Sequence, residues 1–411
     1  MGVALESWRR ASGPLNIYIH FPYCEMKCGF CNLFTITQHN SGTLGLYADA
    51  LVREIRMFAN RVEVRGFQVG SVYFGGGTPT LLPHEAMEKI VRTLREVFRF
   101  SADAEMSIES APNAIEASRL SALLKLGFGR FSIGIQTFHE GELLTMGRPY
   151  RAHLGPSVTS AALAAGFKNV NVDLIYGLPG QNEQTWLENI TTAIGLGVPT
   201  VSIYPLALRS RTPFGHRFEQ APNEFLTGST LYALYDIAAD TFSSNGYRQL
   251  TASAFARNGG GNRHEANEFC GTPTLGLGVA ALSYAPDIHY TNINYLDTRS
   301  TAGITAGYLE AIRTDQLPFR SSIVVDEDES RRRHVILRLL SSGLDRTKYS
   351  NRFGESVTER FNSEFDALRL ERCIEEAGGQ IVLSRRGRGF SSLVADLFAS
   401  ERVKQLSESY K

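Results

Sequence analysis

The sequence predicts an α/β protein in which helical crossovers join a parallel sheet, followed by a smaller helical module. Two patterns and one size argument lead there. Apolar, β-branched segments recur six times, each leading into a longer stretch whose apolar residues repeat at helical spacing. Gly and Pro punctuate the junctions, where one element stops and the next starts. At 411 residues the chain can bury a large core and still carry an appendage.

The strand segments are residues 15–20, 71–74, 106–110, 130–135, 169–175 and 200–207. Residues 47–62, 84–98, 114–126 and 183–196 read as helices between them. Alternation of this kind implies parallel pairing, because a parallel neighbour is reached only by a long crossover. Six units form either an open doubly wound sheet or a partial barrel. In both, function gathers at the carboxyl ends of the strands.

After Ala207 the pattern becomes irregular: residues 211–222 are polar, 224–244 read as helix, Gly259-Gly260-Gly261 breaks the chain, and 274–284 reads as one apolar strand-like segment. This region is an extension of the same domain. Acidic residues at 326–329 followed by Arg331, Arg332 and Arg333 mark the start of a solvated surface helix. Two further helical patterns and a strand–turn–strand signal at 381–384 and 385–389 predict a small winged-helix-like module. Such a module binds nucleic acid or covers a substrate. The expected organisation is residues 1–207 as core, 208–322 as extension and substrate region, and 323–411 as the C-terminal domain.

Lys plus Arg and Asp plus Glu both number 42, so no global field draws the protein to nucleic acid or an anionic membrane. No apolar run of about 18 residues is present, and residues 1–12 are polar with two arginines, unlike a signal peptide. A cytoplasmic protein is expected. Five cysteines, three of them in one loop, make no disulfide framework. Cys270 and Cys373 read as ordinary buried thiols.

Cys24, Cys28 and Cys31 directly follow the first strand segment. Thiolates are the usual protein ligands of iron–sulfur clusters, and a four-iron cubane takes one ligand per iron. Three cysteines therefore leave one iron open. The alternatives are chance clustering, a zinc loop completed by His20 or His39, which would need four ligands, and a reduced thiol cluster. Gly75-Gly76-Gly77-Thr78-Pro79 follows the second segment, where glycines let backbone amides approach a ligand closely. Glu109, Gln136 and Asp173 stand at or just beyond later strands, where sheet-core residues would be apolar. A buried carboxylate needs a donor or a cation. Arg148 offers a planar, two-pronged contact for a carboxylate, and a Glu109–Arg148 ion pair is the plain structural alternative.

The cysteine spacing, with Phe30 before the last cysteine, resembles the radical S-adenosylmethionine (SAM) superfamily. The runs Tyr18-Ile-His-Phe-Pro-Tyr-Cys24, Ser107-Ile-Glu109, Ser132-Ile-Gly-Ile-Gln136, Asp173-Leu-Ile-Tyr-Gly-Leu-Pro179 and Leu275-Gly-Leu-Gly-Val279 narrow the resemblance to the oxygen-independent coproporphyrinogen III oxidase-like (HemN-like) family. It covers nearly the whole chain. The resemblance implies a partial (β/α)6 radical SAM barrel with an extension, a [4Fe-4S] cluster on Cys24, Cys28 and Cys31, and reductive cleavage of SAM to a 5'-deoxyadenosyl radical. It places SAM against Tyr18, Phe30, Asn32, Gly76, Gly77, Thr78, Glu109, Gln136, Arg148, Asp173, Ala207 and Leu282, and the family commonly binds a second SAM. An electron donor such as flavodoxin or ferredoxin is implied. His20 is a candidate catalytic group that the resemblance sets against the cluster or a SAM, the alternative being a satisfied core histidine; Tyr176 and Tyr284, with Tyr204 and His289, are candidates because their segments should approach the barrel mouth, the alternative being packing at its rim.

Within the family, coproporphyrinogen dehydrogenases carry a fourth cysteine just after the third and a longer amino-terminal extension. Here Asn32-Leu33-Phe34 follows Cys31, and 23 residues precede Cys24. Haem chaperones show a histidine-asparagine and tyrosine-tryptophan segment before the Gly-Leu-Gly run, where this chain has His264-Glu-Ala-Asn-Glu-Phe-Cys270. By exclusion the resemblance points to the methyltransferase and cyclopropanase subgroup, in which a methylene from the second SAM is transferred to an sp² carbon of an aromatic or heteroaromatic small molecule. Coproporphyrinogen chemistry, haem opening and haem chaperoning are the alternatives.

Overall fold

The computed structural model describes residues 2–11, 13–61, 66–148, 150–292, 300–319 and 321–409. In chain order its first strands are β1 (Pro14–Phe21), β2 (Gln68–Gly76), β3 (Arg99–Ser110), β4 (Arg130–Gln136), β5 (Asn169–Tyr176) and β6 (Thr200–Pro205). There follow β7 (Arg248–Gln249), β8 (Ala254–Ala256), β9 (Thr274–Leu277), β10 (Leu282–Ala285), β11 (Ile288–Thr291), β12 (Ser321–Val324), β13 (Leu344–Asp345), β14 (Ile374–Ala377) and β15 (Gln380–Leu383). The helices that matter are α1 (Gly2–Arg10), α2 (Ser41–Ala59), α3 (His84–Val97), α4 (Ala117–Lys125), α5 (Glu140–Thr145) and α6 (Leu154–Ala165). Beyond them lie α7 (Glu183–Gly195), α8 (Pro213–Gln220), α9 (Gly228–Ser244), α10 (Arg263–Phe269), α11 (Thr301–Arg313) and α12 (Glu327–Leu339).

The chain divides into two units: residues 1–173, 262–268 and 272–325, and residues 174–261, 269–271 and 326–411. Residues 272–325 lie in the first unit, where β9 pairs in parallel with β1. In the first unit β1, β2, β3 and β4 are parallel neighbours in that order. Beyond β9, strands β10, β11 and β12 continue antiparallel. The expected single segment at 274–284 is therefore two antiparallel strands, split by a turn in which Gly278 (φ +94°) and Ala280 (φ +65°) take left-handed conformations.

Strand alternation explains the unit's layers. Ile17, Ile19, Phe21, Val72, Phe74, Met106, Ile108, Phe131 and Ile133 are buried on one face and form the core beneath the helices. The intervening residues put Asn16, Tyr18 and His20 on the other face of β1, with Ser71, Tyr73 and Gly75 beside them on β2. Glu109 on β3 lies opposite Ser132 on β4. One sheet face is thus apolar and the other polar. Asn40 and Asn182 start α2 and α7 with capping boxes, each side chain accepting from the backbone N–H three residues on.

In the second unit, β6 pairs with β8 and β8 with β7, all antiparallel. The Trp186 indole on α7 donates to the Leu234 carbonyl on α9 at 2.7 Å. The C-terminal part has its own core, which includes Val335, Tyr349, Phe365, Ile381 and Phe398, and a sheet ordered β13-β15-β14. The hairpin pairs β14 with β15, so the expected strand at 385–389 is instead the helix Arg385–Gly389. Ser384 caps it by accepting from the Gly387 N–H, and a Cβ at Gly387 would meet the Cys373 carbonyl, so the chain turns there. Cys373 is buried as expected, whereas Cys270 is exposed at the end of α10, with the Arg338 guanidinium 3.4 Å from its sulfur. Among the described residues no helix is long and apolar enough to cross a membrane.

Candidate active site

Backbone geometry at the end of β1 builds the cysteine loop. The Gly77 N–H donates to the Phe21 carbonyl at 2.6 Å and the Thr78 N–H to the Tyr23 carbonyl at 2.8 Å, so the glycine turn is folded onto the strand end that leads into Cys24. A Cβ at Gly77 would lie 2.5 Å from the Tyr23 oxygen, and one at Gly76 (φ +103°) 2.6 Å from the His20 ring. Only glycine permits this approach. The Cys24 N–H donates to the Ile36 carbonyl, the Cys31 N–H to the Cys28 carbonyl and the Gly29 N–H to the Met146 carbonyl, which fixes both ends of the loop and its middle.

The Thr78 hydroxyl lies 3.4 Å from the Cys24 sulfur. Burial pushes the Cys24 thiol up to about 11 and raises Cys31 as well, so these thiols become ligands by exchanging a proton for a metal. Arg148 supplies positive charge: it is buried, donates to the Gly134 carbonyl at 2.5 Å and to Tyr150, packs over the Phe30 ring at 5.9 Å, and is held protonated by the nearby Cys28. Its Nε has no hydrogen-bond partner. It makes no ion pair with Glu109. Among the described residues no three His, Cys, Asp or Glu side chains converge as a single ion requires. Three thiols in one loop beside a buried cation suit a cubane, which takes one thiolate per iron.

Along the polar face, Glu109 accepts from the Tyr73 hydroxyl at 2.6 Å and from the Gly76 N–H at 3.2 Å. Burial, reinforced by the negative charge of Asp173, still pushes it up to about 7. Asp173 accepts from Ser132 at 3.1 Å and from Asn171 at 2.9 Å. Gln136 takes a left-handed backbone (φ +70°), a strained state for a side chain with a Cβ. A Cβ placed on Gly134 would lie 2.9 Å from the Gln136 amide nitrogen and 3.9 Å from Arg148, which sets these three groups side by side.

His20 is buried, and burial lowers it to about 4. Its Nε2 is 3.1 Å from the Phe34 carbonyl, which can only accept, so Nε2 carries the proton. Nδ1, 3.1 Å from the Tyr18 hydroxyl, accepts from it. Both ring nitrogens are engaged, and His20 fastens the chain after Cys31 to β1. Tyr176 is buried against Trp186 at 5.6 Å, and Tyr204 is exposed. The Tyr284 and His289 rings meet edge-on at 4.8 Å. Leu282 is 48 % exposed at the start of β10, Asn32 is exposed in the cysteine loop, and Ala207 is exposed after β6. The structure thus brings together Tyr18, His20, the cysteine loop, Gly76, Gly77, Thr78 and Glu109, sets Gln136 with Arg148 beside Cys28, and holds Asp173 through Ser132.

Sequence reasoning did not single out Tyr73, Arg130, Ser132 or Asn171, and took His264 only as part of a degraded segment. Strand alternation back from Asp173 reaches Asn171, and back from Gln136 it reaches Ser132 and Arg130, whereas Tyr73 follows only from the register of β2 against Tyr18. The tautomer of His264 follows from its partners. The Asn16 amide nitrogen donates to the His264 carbonyl, so its oxygen accepts from Ser71 at 2.7 Å. The Ser71 hydroxyl has then used its proton and accepts from His264 Nδ1 at 2.8 Å. Nε2 is left with a lone pair and no hydrogen-bond partner, 3.7 Å from Glu268 and beside the Tyr18 and Tyr73 rings. Burial and Arg130 lower this imidazole to about 3, so it is neutral.

A family model described as the radical SAM superfamily matches residues 18–193. The chain is 30 % identical to the Escherichia coli K12 "Heme chaperone HemW" over 302 residues, 73 % of this chain and 78 % of that protein. The chain belongs to the HemN-like family of the radical SAM superfamily. The Bacillus subtilis "Heme chaperone HemW" is 26 % identical over 94 % of this chain and 99 % of its own length. The "Oxygen-independent coproporphyrinogen III oxidase" of Cereibacter sphaeroides is 26 % identical over 94 % of this chain and 86 % of its own. Among solved structures, coproporphyrinogen III oxidase (HemN) from Escherichia coli superposes with a TM-score of 0.82 at 24 % identity, covering 97 % of this chain and 93 % of that one. The fold is accordingly the α/β radical SAM fold with a partial barrel and a helical C-terminal region. The superfamily implies a [4Fe-4S] cluster and SAM.

Proposed function

We propose that this radical SAM protein binds an iron tetrapyrrole as substrate or cargo, with the cluster on Cys24, Cys28 and Cys31 and SAM along Tyr18, Gly76, Gly77, Thr78, Glu109, Arg148 and Asp173. The observation that carries the tetrapyrrole part is His264. A neutral imidazole whose Nε2 lone pair takes no hydrogen bond, with Glu268 3.7 Å away and aromatic rings beside it, has the chemistry of a haem-iron ligand. The relatives named above are haem chaperones and a coproporphyrinogen III oxidase, which supports the same class of ligand. When bound, the cluster and SAM supply an electron and a carbon–sulfur bond that it breaks. The chain's own part is to fix both: Arg148 offers its guanidinium to a carboxylate, and Glu109 and Asp173 offer acceptors to ammonium and hydroxyl groups. A flavodoxin- or ferredoxin-type donor and a reducing cytoplasm suit this chemistry.

A second reading, methylene transfer from a second SAM, rests on Asn32-Leu33-Phe34, which offers no fourth cysteine. The named relatives support it less than the tetrapyrrole reading. Anaerobic titration of the cluster-loaded protein with haem, followed by its Soret band, tests the first. Stoichiometric binding that weakens at least about tenfold in His264→Ala, with SAM binding intact, is expected. Haem binding indifferent to His264, or none, contradicts it. Deuterium in 5'-deoxyadenosine from methyl-deuterated SAM, together with S-adenosylhomocysteine, would favour the second.

A further inference from the structure

Away from the SAM face, the most demanding side chain of the first unit is Glu54 on α2. It is fully buried, and every group that bonds its carboxylate is neutral. Oε2 accepts from the Gly278 N–H at 2.7 Å and from the Tyr308 hydroxyl at 2.8 Å, while Oε1 accepts from the Asn292 amide at 3.1 Å. A buried carboxylate with no cation costs several kcal/mol, and a glutamine would fill the same volume for less. What the carboxylate alone offers is acceptor capacity on both oxygens where three donors converge.

Those donors belong to one structural feature. Gly278 opens the turn between β9 and β10, and Asn292 donates also to the Gly278 carbonyl at 2.7 Å. Tyr47, two helical turns before Glu54 on the same face of α2, accepts from the Val279 N–H at 3.0 Å and donates to the His20 carbonyl at 2.7 Å. The turn is therefore tied to the end of β1, four residues before Cys24. Within it Ala280 holds a left-handed backbone (φ +65°) that a residue with a Cβ adopts only under constraint. Leu282, the half-exposed residue that leaves the turn, is the one the family resemblance sets against SAM.

We propose that Glu54 and Tyr47 are positioning residues that set the 278–281 turn, and with it Leu282, in register with the cluster-bearing end of β1, so that SAM affinity depends on a clamp no cofactor touches. The inference rests on the SAM reading of the site and deepens it.

The test uses the cluster-reconstituted full chain and measures iron content, thermal stability and the dissociation constant for SAM. Glu54→Gln keeps one acceptor and sets an amide N–H against converging donors. It is expected to hold wild-type iron content and bind SAM at least about tenfold more weakly. Leu282→Ala should weaken SAM binding as well, and the two effects should fall short of additive, since both act through the turn. Tyr308→Phe removes one donor and leaves the other two, so it serves if the glutamine variant fails to fold; a loss of about two- to fivefold is expected there. Wild-type SAM affinity in a cluster-loaded Glu54→Gln or Tyr308→Phe protein, or full additivity with Leu282→Ala, would overturn the clamp. No SAM binding by the wild-type holoprotein would instead overturn the reading of the site, and the clamp with it.

Discussion

Glu109 on β3 and Asp173 on β5 stand either side of Ser132 on β4 but differ in what titration does to them. Glu109 sits near 7 because burial penalises its charge more than Tyr73 and the Gly76 N–H relieve it. Its ionised form accepts from an ammonium, whereas its protonated form does so poorly. SAM affinity should therefore rise between about pH 6 and 8, and Glu109→Gln should bind weakly with that slope removed. Equilibrium SAM binding across pH checks this, and an unchanged slope in the variant contradicts it. Asp173→Asn keeps an acceptor for Ser132 or Asn171 and loses the charge, so about a 10- to 100-fold loss of SAM affinity with full iron content is expected. At this scale the sequence was legible where a residue type violated its surroundings, as with Glu109, Gln136 and Asp173. It was not legible for His264, whose tautomer depends on Asn16 and Ser71, far away along the chain.

The element that decides the site is the junction of β1, the cysteine loop and the glycine turn. Its sequence signals were local, three cysteines and three glycines, and the structure joins them through Gly77 and Thr78. Gly77→Ala would place a methyl 2.5 Å and 2.9 Å from two carbonyl oxygens and force the strand end to move. About 1–3 kcal/mol of stability and a large part of the cluster occupancy should be lost, read by thermal unfolding and iron content. Full occupancy at wild-type stability would show that the turn does not set the loop. Local signals failed where pairing is long-range. The 274–284 segment is apolar throughout, so periodicity alone could not reveal the turn between β9 and β10, and the 385–389 segment reads as strand until Ser384 caps it as helix.

Over the whole chain, alternation of strand and helix predicted the layered first unit, and residues 272–325 join it as an extension, through a parallel β9–β1 pairing across more than two hundred residues that no local pattern gives. In the second unit, Arg385 reaches Asp236 and Asp240 on α9, and Phe390 stacks on Tyr232 at 5.1 Å. The ion pairs are open to solvent and the stack is not wholly so. Arg385→Ala should cost under about 1 kcal/mol and Phe390→Ala about 1–3 kcal/mol by denaturant unfolding, and the reverse order would contradict this packing. The central claim concerns what these layers hold at their carboxyl edge. Anaerobically reconstituted protein, reduced with dithionite and given SAM, should yield 5'-deoxyadenosine by mass spectrometry, and Cys24→Ala should yield none. A variant that lacks the cluster yet still makes 5'-deoxyadenosine, or a wild-type protein that holds the cluster and never cleaves SAM, would contradict the account.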